Sequence, residues 1–491
     1  MKVKYITLVI ATVAITKTSF AQYSQDAIRF STFQTGSTSR IKAIGNAGTA
    51  VGGDLSSISG NPAGVGFFTR SEFSITPEFN NSNVKSTYLG QNNKANYSNG
   101  NLNNAAAVFF NQLKTAPGTN KGKGWLSLNF GVGYARTNDF YEKTYYGGRN
   151  NNNSIADYYA DLANQDVHGN FGDPSSNGFD YLEGWAYQHY LINKDNTNTY
   201  SPSTDLGGDQ TASTIRSGGQ SEINLAMGAN YSNKLYFGLS LGITDLRYNY
   251  TSYFTENNTE YVNFNQDFTS VYTLDQVTKG SGVNGKFGVI YRPVNALRIG
   301  ASITTPTWIT IDDNTGEGLD TKYEGTGGTY SNGESYPATY TLRTPMKLSG
   351  GMAIFLGKVG FISGDVEYLD YSTTHISSND YDPTKDNNDI KQYYKSALNI
   401  HGGAELRVTP GFFLRGGYGI QGNPARQYGS DVRTVSGGLG FRFGSYYLDA
   451  TYTRLSSSRT VFPYTVDGGI SPYADQDKTQ NNVYLTLGWR F

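Results

Sequence analysis

Val483 to Phe491 reads VYLTLGWRF. Every odd position is apolar (Val483, Leu485, Leu487, Trp489 and Phe491), and Tyr484, Thr486, Gly488 and Arg490 lie between them. Successive side chains of a strand point to opposite faces, so this stretch has one oily face and one polar face. A strand closing on an aromatic residue is expected of a membrane barrel rather than of a soluble sheet.

The pattern recurs upstream. Leu235, Phe237, Leu239, Leu241 and Ile243 alternate with Tyr236, Gly238, Ser240, Gly242 and Thr244. Leu126, Leu128, Phe130, Val132 and Tyr134 alternate with Ser127, Asn129, Gly131 and Gly133. Ile223, Leu225 and Met227 follow the same rule, as do Leu398 to Val408 and Leu439 to Phe443. Glycine is common on the polar face, as expected where something packs closely inside.

Very short connections are read near Ser232-Asn233, Pro293-Val294-Asn295, Gly357-Lys358, Thr409-Pro410 and Gly444-Ser445. Long polar ones are read over Asn80 to Asn103, Arg136 to Gly219, Thr251 to Lys279, Ile311 to Tyr336, Ser372 to Lys391 and Ser456 to Gln480. Tight turns alternating with long loops predict an all-β, transmembrane, antiparallel β-barrel with tight periplasmic ends. The segment count gives about fourteen strands, an even number as bacterial barrels prefer.

Composition agrees. The 491 residues carry 39 basic and 40 acidic side chains, so no global field favours nucleic acid. There is no cysteine, which excludes disulfides and thiolate metal sites. The 39 tyrosines and 59 glycines suit a barrel with polar loops, and on composition alone they also suit a secreted β-sandwich array. Residues 1–21 read as an export signal: Lys2 and Lys4, an apolar run Tyr5 to Ile15, and Ser19-Phe20-Ala21 before the cut. The predicted organisation is then a signal over 1–21, an N-terminal segment over 22–70 and a barrel over 71–491.

A barrel of about fourteen strands is too wide for its own side chains to fill. The spare chain at the tight-turn end is 22–70, so it is read as an internal hatch. Its centre, Arg40 to Phe68, is RIKAIGNAGTAVGGDLSSISGNPAGVGFF. Small residues let backbone lie against backbone, and Asn61-Pro62 forces a sharp turn. A short helix is expected over Ser39 to Ala50. Arg407, Arg415, Arg442 and Arg490 are the expected donors to the hatch carbonyls. Asn61-Pro62 is expected to act as a stiff pivot among Gly60, Gly64 and Gly66.

Ala43, Gly45, Gly48, Ala50 and Asp54, followed by Asn61-Pro62-Ala63-Gly64, resemble the hatch of the FadL/TodX family, outer-membrane transporters of long-chain fatty acids and aromatic hydrocarbons. The close match covers about thirty residues. The resemblance implies a fourteen-stranded outer-membrane barrel with an N-terminal hatch and a hydrophobic or amphipathic ligand caught by external loops. Since nothing in the chain reads as a nucleotide-hydrolysing or energy-coupling segment, movement is expected to be passive, with the hatch shifting on ligand binding. It also implies lateral release where the third strand kinks. Carried onto this sequence, that strand is Trp125 to Arg136, with Gly131 and Gly133 as the opening. The mature N-terminus QYSQDAIRFSTFQTG departs from the family pattern.

The longest loop is expected to hold two helices. One spans Ser154 to Gln165, with Ser154 and Asp157 in capping-box spacing and Ile155, Tyr158, Tyr159 and Leu162 on one face. The other lies within Gly178 to Ile192 and carries Phe179, Leu182 and Trp185. These helices form either a small core of their own or an apolar landing surface for ligand, for which Tyr158, Leu162, Phe179, Leu182 and Trp185 are the capture candidates. The four histidines, His168, His189, His375 and His401, do not form a nucleophile-and-base set, and no phosphate loop appears. Asp312, Asn314 and Glu317 break calcium-loop spacing. No cofactor is expected. The expected partners are a hydrophobic ligand, outer-membrane lipid and lipopolysaccharide, and the barrel assembly machinery, around a monomer. The competing readings are a general porin and a structural barrel.

Overall fold

The computed structural model describes residues 21–34, 36–114, 122–165 and 180–491. Its main sheet has eighteen antiparallel segments, and the last pairs with the first. Four staves are each interrupted once, which leaves a closed barrel of fourteen. In chain order β1 is Glu72–Tyr88, β2 Gln91–Phe109, β3 Trp125–Asp139 with Glu142–Asn150, β4 Gly208–Tyr231, and β5 Leu235–Glu260. β6 is Gln266–Val294, β7 Leu297–Thr304 with Trp308–Tyr323, β8 Thr329–Arg343 with Lys347–Phe355, and β9 Gly360–Asp370 with His375–Ser378. β10 is Ser396–Thr409, β11 Phe412–Gln421, β12 Val432–Phe443, β13 Tyr446–Val461 and β14 Ala474–Arg490. Closure abolishes sheet edges, so no row of backbone donors and acceptors meets lipid.

The alternation falls as read. Val483, Leu485, Leu487 and Trp489 are exposed on the outer wall, and Tyr484 and Thr486 are buried inside. Leu239, Leu241, Ile243, Ile223 and Leu225 extend the same outer band. A continuous apolar belt of this size is a lipid-facing surface. The Phe491 amide donates to the Ser71 carbonyl at 2.9 Å, fastening the chain end beside β1.

All five expected tight turns are present between consecutive staves. At the β4–β5 turn Ser232 and Asn233 both take left-handed φ, 58° and 53°. The long connections are shorter than expected. Asn80 to Asn103 is no loop: β1 and β2 pair through it up to Tyr88 and Gln91, around Leu89-Gly90. Thr251 to Lys279 and Ile311 to Tyr336 are likewise mostly strand, and β13 and β14 run to Val461 and from Ala474. The polar residues there belong to ladders that rise above the lipid belt, where both faces tolerate Asn and Thr. The genuine long excursion is 151–207, with a smaller one over 371–395.

The described parts of this excursion, 151–165 and 180–207, fold over the barrel mouth. One helix, Ile155–Asn164, carries the expected capping box between Ser154 and Asp157, and a second is Leu182–Gln188. Ile155, Tyr159, Leu162, Leu182 and Trp185 join Tyr88, Phe254, Phe268, Tyr323 and Tyr464 of the upper walls in one buried cluster. The cap is therefore a packed core continuous with the barrel.

Candidate functional site

The N-terminal segment lies against the inward faces of the staves. Its first helix, Ala21–Ser31, sits high in the lumen. Ala27, Ile28 and Phe30 pack there with Tyr248, Ile309, Ile311 and Tyr340. The next helix spans only Ser39–Ala43, not Ser39 to Ala50, because Gly45 and Asn46 take φ of 70° and 66° and reverse the chain. Two short 3-10 helices follow, Leu55–Ile58 and Pro62–Phe67.

The residues carrying the family resemblance hold this segment's shape. Asp54 caps the first 3-10 helix: its Oδ1 accepts from the Ser56 amide at 3.0 Å and from Thr38 Oγ1 at 2.8 Å. Asn61 caps the second, accepting from the Ala63 amide at 3.1 Å and donating to the Thr49 carbonyl at 2.8 Å. Pro62 opens that helix, where a missing N–H is no loss. Opposite this turn the wall presents Gly238 and Gly288, where a Cβ would overlap Pro62 and Asn61. Ala63 is fully buried against Tyr236 and Ile290, and Gly64 packs on Ser57. Gly48 lies over Ile41.

The hatch carbonyls are not satisfied by the four expected arginines. Arg415 donates to Glu405 and Asp449, Arg442 to Asp449, Arg490 to Glu72, and Arg407 to the carbonyls of Thr409 and Pro410. Wall carboxylates hold Arg415, Arg442 and Arg490, since a buried cation without its counter-charge is costly. Shorter neutral donors reach the hatch instead. Asn129 Nδ2 donates to the Val65 and Phe68 carbonyls at 2.9 and 3.0 Å, Ser240 to Ile58, Ser436 to Ala43 and Thr451 to Ser39. Arg298 serves Val51. One ionic link runs the other way: Arg40 of the hatch pairs with Glu405 at 2.7 Å.

Gly131 and Gly133 do face inward, but neither marks a kink. Both sit in continuous ladder, Gly131 opposite Val108 and Ala226, Gly133 opposite Ala106 and Asn224. What they admit is the hatch: a Cβ on Gly131 would lie 2.8 Å from Ile58 Cδ1, and one on Gly133 3.2 Å from Ile58 Cγ2. The interruption of β3 is higher, at Phe140-Tyr141, with a register shift against β4 between Arg136 and Asn138.

The same level is a joint in the wall. The β2–β3 ladder spans Asn104–Phe109 against Phe130–Ala135, with a bridge at Gln112–Ser127 below it and no pairing above, although both staves continue upward. The hatch runs along this seam. Gln34 N donates to the Thr137 carbonyl at 2.8 Å, Asn138 Nδ2 to the Thr32 carbonyl at 2.8 Å, and Asn103 Nδ2 to the Ser37 carbonyl. A Cβ on Gly36 would meet the backbone of Arg136 and Asn103 together, so only glycine fits between the two staves. Gly36, Ser37, Ile58, Asn103 and Asn129 were not among the sequence candidates. The inward parity of Gly131 and Gly133 was the available signal for Ile58.

Of the capture candidates, Leu162, Leu182 and Trp185 are buried in the cap and Tyr158 is half-buried against it. Phe179 lies outside the described residues. His189 caps the C-terminus of the helix Leu182–Gln188, its Nε2 2.8 Å from Asn332 Oδ1 and its Nδ1 3.0 Å from Thr321 Oγ1. Burial pushes its imidazole below the ordinary histidine range. His401 faces the lumen near Glu367 and Lys347.

No family model matches the chain, and no curated protein does. Solved structures do. A FadL homologue from Pseudomonas aeruginosa aligns with a TM-score of 0.54 and 13% identity, covering 94% of this chain and 99% of that one. A monoaromatic hydrocarbon channel, the TodX deltaS2 mutant, aligns with a TM-score of 0.55 at 12% identity over 93% and 99%. The P. putida toluene transporter TodX gives 0.50 at 13% over 91% and 98%. This chain has the FadL/TodX fold, a fourteen-stave transmembrane barrel.

Proposed function

We propose that the protein is an outer-membrane channel, and no enzyme, for passive uptake of hydrophobic or amphipathic small molecules. The observation that carries this reading is the hatch, which lies inside the lumen and at the same time runs along the seam where β2 and β3 part. A lumen holding this segment suits neither a water-filled porin nor free diffusion of sugars. The seam offers an apolar molecule a route into lipid, which avoids re-exposing its methylenes to water at about 0.8 kcal/mol each. The similar structures of toluene and hydrocarbon channels point the same way. In this reading ligand enters through the cap, 22–70 is the gate, Asn61-Pro62 anchors it, and release is sideways between β2 and β3 rather than at Gly131 and Gly133. The export signal over 1–21, the monomeric state and the assembly partners belong to the same proposal.

The test is uptake of a labelled long-chain fatty acid or alkylbenzene by a host lacking its own transporter. Uptake well above the empty vector is expected. Uptake no better than the vector, with sugars leaking freely through the protein in liposomes, would replace this reading with a porin.

A further inference from the structure

The outer wall carries a feature that transport does not use. On the lipid-facing side of β6 to β9 a groove of about 530 Å³ is lined by Phe287, Val289, Ala301, Ile303, Leu348, Val366 and Tyr368, with Ser302, Ser349 and Gly350. Register explains it. One outward row reads Val289, Ala301, Gly350, Val366 across the four staves, and the row above reads Phe287, Ile303, Leu348, Tyr368. The row below begins Tyr291, Ile299, Met352. Two small residues side by side between rows of large ones leave a hollow. A Cβ on Gly350 would touch nothing within 4 Å.

We infer that this groove seats one acyl chain of a phospholipid from the periplasmic leaflet. Three observations fix the occupant. The groove opens from the exposed apolar belt, so what enters it comes from the bilayer. Its height fixes the leaflet: Ala301 stands four residues above Leu297 at the tight-turn end, about 10 Å for a tilted strand, inside the lower half of a belt roughly 25 Å tall. Its lower end suits a phosphate: Lys358 stands exposed at the β8–β9 turn below. Lipopolysaccharide occupies the opposite leaflet and would be out of reach.

The groove also abuts a weakness in the wall. Just above it β7 breaks at Thr305-Pro306-Thr307 and β8 at Thr344-Pro345-Met346, where proline cannot donate to the ladder. Threonine hydroxyls patch the fault: Thr305 Oγ1 accepts from the Gly285 amide at 3.0 Å and Thr344 Oγ1 from the Thr307 amide at 2.9 Å. A chain lying in the groove covers the lower lip of this fault.

The test uses full-length protein extracted from its membrane in mild detergent and weighed intact with its retained lipids. Wild type should keep one phospholipid. The pair Ala301→Leu and Gly350→Leu, which fills the groove, should keep roughly tenfold less, as loss of that apolar burial requires. Lys358→Glu should weaken retention without filling anything. Gly437→Leu, on the lipid face of β12, should leave it unchanged. If the double leucine variant fails to assemble, as judged by heat-modifiability on gels, Gly350→Leu alone serves. Retention that survives groove filling, equal loss in Gly437→Leu, or lipopolysaccharide as the retained lipid would overturn the inference.

Discussion

Asn61 shows how one side chain can hold a gate. Its oxygen caps the helix that Pro62 begins, and its nitrogen satisfies the Thr49 carbonyl twelve residues back. Asn61→Ala removes the cap, at about 1 kcal/mol, and leaves a buried carbonyl without its donor. The expected result is faster amide exchange over 62–68 with the barrel amides unchanged; equal exchange in both proteins would show that the anchor lies elsewhere. His189 makes the second residue-scale case. Burial disfavours its charged form, while Asn332 and, more weakly, Asp320 favour it. Because its folded pKa lies below the unfolded value of about 6.5, the stability it contributes is present above that pH and lost as pH falls from there through the lower folded pKa. Proteolysis within 151–207 should therefore increase between pH 7.5 and 5.5, and His189→Gln should flatten that dependence. Matching pH profiles for the two proteins would exclude His189 as the cause.

At the scale of elements the decisive contact is the short helix Leu55–Ile58 against β3. Gly131→Val puts branched carbon where Ile58 Cδ1 already lies at 2.8 Å from a bare Cβ. The hatch must shift, so uptake should change several-fold while heat-modifiability stays as in wild type. Adding Ile58→Ala to Gly131→Val should restore the wild-type rate; no recovery would mean that the glycine matters for the wall alone. This contact also shows what sequence could reveal. Inward parity of Gly131 and Gly133 was legible, because alternation fixes the face and glycine signals a close approach. Their partner and the true place of the interruption were not, since both depend on which residues of β2 and β4 stand opposite. The upper hairpins were misread for a similar reason. Asn-rich stretches such as Asn80 to Asn103 look like turns by local preference. Here they pair across the ladder: Asn81 donates to Ser98 at 2.8 Å and Asn83 to Asn96 at 2.6 Å, which local sequence does not display.

For the whole molecule the question is whether the hatch must leave the seam for transport to occur. The fourteen staves form a closed wall, and β2–β3 is its shortest ladder between complete staves, six paired residues. The N-terminal segment completes it: the Gln34 amide takes the Thr137 carbonyl as a neighbouring strand would. Backbone partners of this kind hold their Cα atoms within the range a disulfide spans. The chain has no cysteine of its own, so Gln34→Cys with Thr137→Cys gives one defined bond. Oxidised, this variant should take up hydrophobic ligand no faster than the empty vector, and a reductant should return it to the wild-type rate. Either single cysteine variant should respond to neither treatment. The bond is scored independently by a mobility shift on a non-reducing gel. A shifted band with undiminished uptake would mean that ligand passes without the segment leaving the seam, and release between β2 and β3 would then have to be abandoned.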